Sequence, residues 1–88
     1  PGYPARVLRA NTEALARAGV VVAVCEGLQV DDGTAWEIGY AAARGIPVYG
    51  YRTDTRRAGG EERVNVMIEQ SLAGLAASLD DLLALLAR

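Results

Sequence analysis

The stretch Val20–Cys25 reads Val-Val-Val-Ala-Val-Cys, and no charged or polar side chain interrupts it. Most of these residues are β-branched, which favours an extended backbone over a helix. The apolar residues are consecutive rather than alternating, which is the pattern of a strand buried on both faces in a parallel sheet. Parallel neighbours cannot be joined by a hairpin. They need crossovers, usually helical, and the flanking sequence reads as helix on both sides.

Residues 4–18 read as a helix, with Val7, Leu8, Ala14, Leu15 and Ala18 at near-helical spacing and Gly19 as the stop. Residues 26–33 are a polar, Gly-containing loop, and residues 34–44 a second helix that Gly45 ends. Residues 46–51, Ile-Pro-Val-Tyr-Gly-Tyr, read as a second strand, in which Pro47 is tolerable near the start. A polar loop over 52–63 precedes helical residues 64–72 and a third, very short strand at 75–77. Ser78 with Asp81 opens a last helix, whose Leu79, Leu82, Leu83 and Leu86 are expected to line one inward face. This alternation predicts a doubly wound, flavodoxin- or Rossmann-like α/β domain with a parallel sheet and flanking helices. Two strands and a fragment make a poor sheet. Residues 1–88 are therefore read as one domain that is incomplete at its N-terminus, with the first strands expected upstream of Pro1.

Composition narrows the chemistry. The chain has 88 residues and a net charge of −2, which argues against tracking a nucleic-acid backbone. The basic cluster Arg52, Arg56 and Arg57 reads as a solvated loop before it reads as a phosphate site. There is no His and no Lys, so a Ser-His-Asp triad, a Schiff-base lysine and a P-loop lysine are all excluded within this sequence. One cysteine, Cys25, rules out an internal disulfide and reads as a buried structural thiol. With one Cys and no His, no zinc site is expected. No apolar run approaches the ~20 residues that span a bilayer, and a cytoplasmic setting is expected.

The groups left for catalysis are carboxylates, and three of them crowd the segment Asp31-Asp32-Gly33-Thr34-Ala35-Trp36-Glu37-Ile38-Gly39. It follows a buried strand, and ligands of open parallel sheets bind beyond the carboxyl ends of the strands. Glu37 is expected in the first turn of its helix, where the dipole favours a carboxylate suited to attack a sugar carbon. Asp31, outside the helix, is placed to act as general acid. Two carboxylates with separate roles are the working parts of retaining glycosyl chemistry. The competing structural reading is a capping box between Thr34 and Glu37, with Asp31 and Asp32 as turn formers. Trp36 is expected in the core.

The stretch Val30–Ala41, Val-Asp-Asp-Gly-Thr-Ala-Trp-Glu-Ile-Gly-Tyr-Ala, resembles the catalytic motif of the nucleoside 2-deoxyribosyltransferases. Gly45–Gly50 resembles that family's next strand, and Asn65–Leu72 another family segment. The resemblance implies that Glu37 is the nucleophile and that Asp31 contacts the base and handles its proton. It sets Gly33 and Asn11 near the substrate, with Asn11 toward the deoxyribose. It implies that Asn65 and Met67 reach into a neighbouring subunit's site, hence a homo-oligomer with shared active sites. The implied substrates are a 2′-deoxynucleoside and a free nucleobase, with no metal and no organic cofactor. Three other readings stay open. One is an N-glycosidase of 2′-deoxynucleosides or their 5′-monophosphates, and another is a non-catalytic nucleotide- or sugar-binding module. The third is an interaction domain using the Leu-rich last helix.

Overall fold

A computed structural model describes residues 2–57 and 60–88. Among these residues, strands β1 (Val21–Val24), β2 (Val48–Tyr51) and β3 (Gly74–Ala76) form one parallel sheet in the order β1-β2-β3. Val21 lies opposite Val48, and Tyr49 opposite Gly74. The strands alternate with helices α1 (Tyr3–Arg17), α2 (Asp32–Ala43), α3 (Val66–Ser71) and α4 (Leu79–Leu86). The expected α/β architecture is therefore present, with helices on both faces of a parallel sheet.

One face of the sheet is the core. Ala23 and Cys25 from the β1 segment and Val48 from β2 are buried with Ile38 and Ala41 of α2 and with Val64. Ile68 and Leu72, from α3 and its end, pack against this cluster. Gly50 is part of the same close packing. A Cβ there would come within 2.8 Å of Leu75 on the neighbouring β3 and 2.9 Å of Leu72 at the end of α3, so only glycine lets these side chains close over β2. The opposite face is covered by α4, whose Leu85 sits over Gly74 beside Tyr49.

Coverage of that second face stops short of β1, and here the expectation of a strand buried on both sides is corrected. Val22 and Val24 are 45% and 58% exposed, while Ala23 between them is 5% exposed. β1 is an edge strand, α2 covers one of its faces, and α4 packs chiefly against β3 and β2. The apolar stripes of two helices are corrected for a related reason. Leu79, Leu83 and Leu86 of α4 are exposed, and the inward side chains are the half-buried Leu82 and Leu85. No residue of α1 is buried, and Val7 and Leu8 face solvent.

The element ends shift by a few residues. β1 and β2 are shorter than their apolar runs, although the Cys25 amide still donates to Tyr51 O at 2.8 Å and prolongs the ladder. β3 falls at 74–76 rather than 75–77. Ser78 opens α4 as expected, accepting a hydrogen bond from the Asp81 amide.

Candidate active site

The largest local correction concerns the start of α2. Asp31, not Thr34, is its N-cap: the carboxylate oxygen Oδ2 accepts from the Thr34 amide at 3.1 Å and from the Thr34 hydroxyl at 3.4 Å. An aspartate is among the strongest N-cap residues, so it displaces the threonine three positions on. The Thr34–Glu37 capping box is therefore not formed. The helix begins at Asp32, which moves Glu37 from the first turn to the second, beyond the free amides of the helix start.

Glu37 is half-buried. No hydrogen bond or ion pair to another described residue engages it. It sits beside Ile38, the most deeply buried large side chain of the helix, so the backbone that carries it is fixed by the core. Asp31 uses only Oδ2 for the cap, and Oδ1 makes no hydrogen bond among the described residues. Gly33 lies against this carboxylate: a Cβ there would stand 3.2 Å from Asp31 Oδ2.

The remaining nominated residues lie on separate elements, Asn11 on α1 and Asn65 and Met67 at the start of α3. Asn65 caps α3 through its own side chain, accepting from the Met67 amide at 2.8 Å. It also lines a cavity of about 410 Å³ with Gln29, Asp32, Glu62 and the apolar Leu28 and Ile68. Met67 is 75% exposed and Asn11 is exposed on α1. No hydrogen bond joins Asn11, Asn65 or Met67 to Glu37 or Asp31 among the described residues. A larger concavity of about 630 Å³ runs along Glu61, Glu62, Glu69 and Gln70 and holds none of the nominated residues. Trp36, expected in the core, is 49% exposed and stacks on Tyr40 at 5.4 Å between ring centroids. The Arg44 guanidinium lies 5.5 Å from the Tyr40 ring centroid on the other side of that stack in sequence.

Two residues that the sequence did not nominate organise the loops below Asp31. Arg52 had been read with the solvated cluster, but it is the buried charged residue of the described chain, at 4% exposure. Its Nη1 donates to Cys25 O at 2.7 Å and to Gly27 O at 2.6 Å, and its Nη2 to Arg56 O at 2.8 Å. Glu26 answers from the other loop. Its carboxylate accepts from the Thr53 amide (2.7 Å), the Thr53 hydroxyl (2.6 Å) and the Asp54 amide (3.1 Å). The Thr53 hydroxyl and then the Asp54 amide hold the Glu26 carboxyl below its usual range. Arg56 pairs with Asp54 at 2.6 Å and depresses that carboxyl too, first through its side-chain hydrogen bond. One signal for this network was present. Glu26 and Arg52 lie just past β1 and β2, and two opposite charges at the carboxyl ends of adjacent parallel strands invite cross-linking of their loops.

Cys25 is fully buried, and burial pushes its thiol up, as expected of a structural cysteine. Among the described residues, no group of three His, Cys, Asp or Glu is arranged to hold a metal ion. No helix among them is long and apolar enough to cross a membrane.

A search of curated proteins found no match. Solved structures do match. A conserved protein from Enterococcus faecalis V583 is 29% identical and superposes with a TM-score of 0.77, over 89% of this chain and 61% of that one. A 2-desoxiribosyltransferase from Leishmania mexicana is 21% identical, with a TM-score of 0.78 over 97% of this chain and 67% of that one. The second likeness is one of fold, and the chain spans 61% of the first structure's length and 67% of the second's. The family profile described as nucleoside 2-deoxyribosyltransferase matches residues 4–77, the whole span from α1 to β3 and its end. With that match, this chain belongs to the nucleoside 2-deoxyribosyltransferase family.

Proposed function

We propose that the protein transfers a 2-deoxyribosyl group between nucleobases through a covalent intermediate on Glu37. One observation carries this reading. The structural task that the sequence offered Glu37, capping α2, is performed by Asp31, which leaves a half-buried carboxylate with no partner among the described residues. A carboxylate with no structural partner among the described residues, on a rigid helix that starts past the carboxyl end of β1, suits a nucleophile.

The steps balance as a double displacement. A Glu37 oxygen attacks C1′ of a 2′-deoxynucleoside, the C1′–N bond breaks, and its electron pair leaves with the base. Asp31 gives a proton to the departing base. An incoming base then attacks C1′, Glu37 leaves as a carboxylate, and Asp31 takes the proton that the new nucleoside loses. Two inversions give net retention. Six residues of helix rise separate Asp31 from Glu37 by about 9 Å along the axis. This separation leaves Glu37 to the sugar and Asp31 to the base. Gly33 keeps the Asp31 carboxylate uncrowded, Asn11 and Asn65 bind substrate, and Met67 is offered to the site of a second copy in a homo-oligomer. Residues 1–88 act as part of one such domain, in the cytoplasm.

The test is base exchange. The intact protein is given deoxyinosine or thymidine with a second free base, and both nucleosides are followed by chromatography. A new deoxynucleoside that vanishes with Glu37→Ala supports the reading. Free base without a new nucleoside would make the protein a hydrolase. Preferred cleavage of a 5′-monophosphate would move it to the N-glycosidases.

A further inference from the structure

We infer that Arg52 is a positioning residue for the departing base, acting through the loop that carries Asp31; this rests on the role proposed for Asp31. Arg52 is the first residue past β2 and is 4% exposed. A buried guanidinium is costly for stability, and an apolar side chain of similar volume is often as good or better in such a place. What an apolar side chain lacks is the donor fork. Arg52 spans three carbonyls on two loops: Cys25 O, Gly27 O and Arg56 O. Its Nε has no hydrogen-bond partner among the described residues, and Nη2 also lies 3.8 Å from Asp54 Oδ1. The side chain fixes where the chain leaves β1.

The point of attachment matters. Gly27 turns at φ +87°, a conformation that side-chain-bearing residues avoid, and four residues later the chain must deliver Asp31 to the start of α2. Glu26 ties the same loop from the opposite direction, to the Thr53 and Asp54 amides. The two loops are thus cross-linked reciprocally, a charged side chain of each holding the backbone of the other. Asp31 Oδ2 is already committed to the cap. The direction of its other oxygen then depends on how the 26–31 segment is held. Misplacement by about 1 Å can cost about 10²-fold in rate.

The experiment compares Arg52→Met, which keeps volume and removes the fork, with Arg52→Lys and Glu26→Gln in the intact protein. Thermal midpoint, kcat and KM for base exchange are measured for each. Arg52→Met is expected to stay folded, to lose about tenfold or more in kcat, and to change KM for the nucleoside less than twofold. The loss should shrink for a nucleoside whose base leaves readily without a proton. Glu26→Gln should show the same pattern more weakly, and Arg52→Lys should not restore the rate. A lowered midpoint with wild-type kcat in both Arg52→Met and Glu26→Gln would make the network merely structural and overturn the inference. If Arg52→Met does not fold, Glu26→Gln decides alone by the same kcat criterion. Failure of the underlying reading has a separate sign, because Asp31→Asn would then keep wild-type kcat.

Discussion

Glu26 and Glu37 lie on the same side of β1 in sequence, eleven positions apart, and meet opposite fates. The Glu26 carboxylate accepts three hydrogen bonds from Thr53 and Asp54. Glu37 accepts none from the described residues, although it is half-buried on a helix locked to the core by Ile38 and Ala41. The region around Glu26 spends its polar groups on itself: the loops after β1 and β2 are bound to each other by Arg52 and Glu26. The middle of α2 does the reverse, holding the backbone rigid and leaving the carboxylate without a hydrogen-bond or ion-pair partner among the described residues. A group that is positioned but not satisfied is what chemistry on a bound molecule requires, and a satisfied group is what architecture requires.

The comparison breaks most visibly at Glu37. Its replacement by alanine should reduce base exchange by on the order of 10³-fold or more while shifting the thermal midpoint little, because no hydrogen bond or ion pair among the described residues is lost. A large drop in midpoint with retained exchange would return Glu37 to structure. Asp31→Asn comes next. It keeps an N-cap acceptor but cannot shuttle the proton, so kcat should fall by about 10²-fold with helix stability preserved. Gly33→Ala should weaken turnover and the cap together, since the added methyl stands 3.2 Å from Asp31 Oδ2; unchanged kcat would deny that crowding matters. Gly50→Ala should leave chemistry alone and lower stability by about 1–3 kcal/mol, by forcing Leu72 and Leu75 away from β2.

The smallest effect sharpens the other side of the comparison. Glu26 has a folded-state pKa held below its ordinary 4.5 by Thr53 and Asp54. Its contribution to stability is therefore present above that ordinary value and is lost as pH falls through the lower folded value. Asp54, held down by Arg56, acts with the same sign. Thermal midpoints of the wild type should fall below about pH 4.5, and Glu26→Gln should show a shallower fall. Parallel curves for the two proteins would mean that the Glu26 hydrogen bonds contribute nothing.

Much of this was legible in the sequence. The β-branched run and the alternation of helix and strand gave the parallel sheet, and the motif around Glu37 gave the family resemblance. The errors have physical causes. The Val20–Cys25 run announces a strand without saying whether helices cover one face or two, and α4 packs chiefly against β3 and β2. Thr34 and Glu37 satisfy the spacing of a capping box, but Asp31 competes for the same amide and wins it. Arg52 looked like its neighbours Arg56 and Arg57 because composition cannot distinguish a guanidinium folded back onto carbonyls from one in water. The partners that bury it, Cys25 and Gly27, are more than twenty positions away, and only the strand register brings them together.

The most direct test of the central claim is the covalent state itself. The intact protein is incubated with a 2′-deoxynucleoside in the absence of acceptor base, quenched in acid, digested and analysed by mass spectrometry. The account predicts a single deoxyribosyl ester on the peptide containing Glu37, absent from Glu37→Ala and discharged when acceptor base is added before the quench. Base exchange that proceeds with no ester, or with the sugar on a different residue, would contradict it.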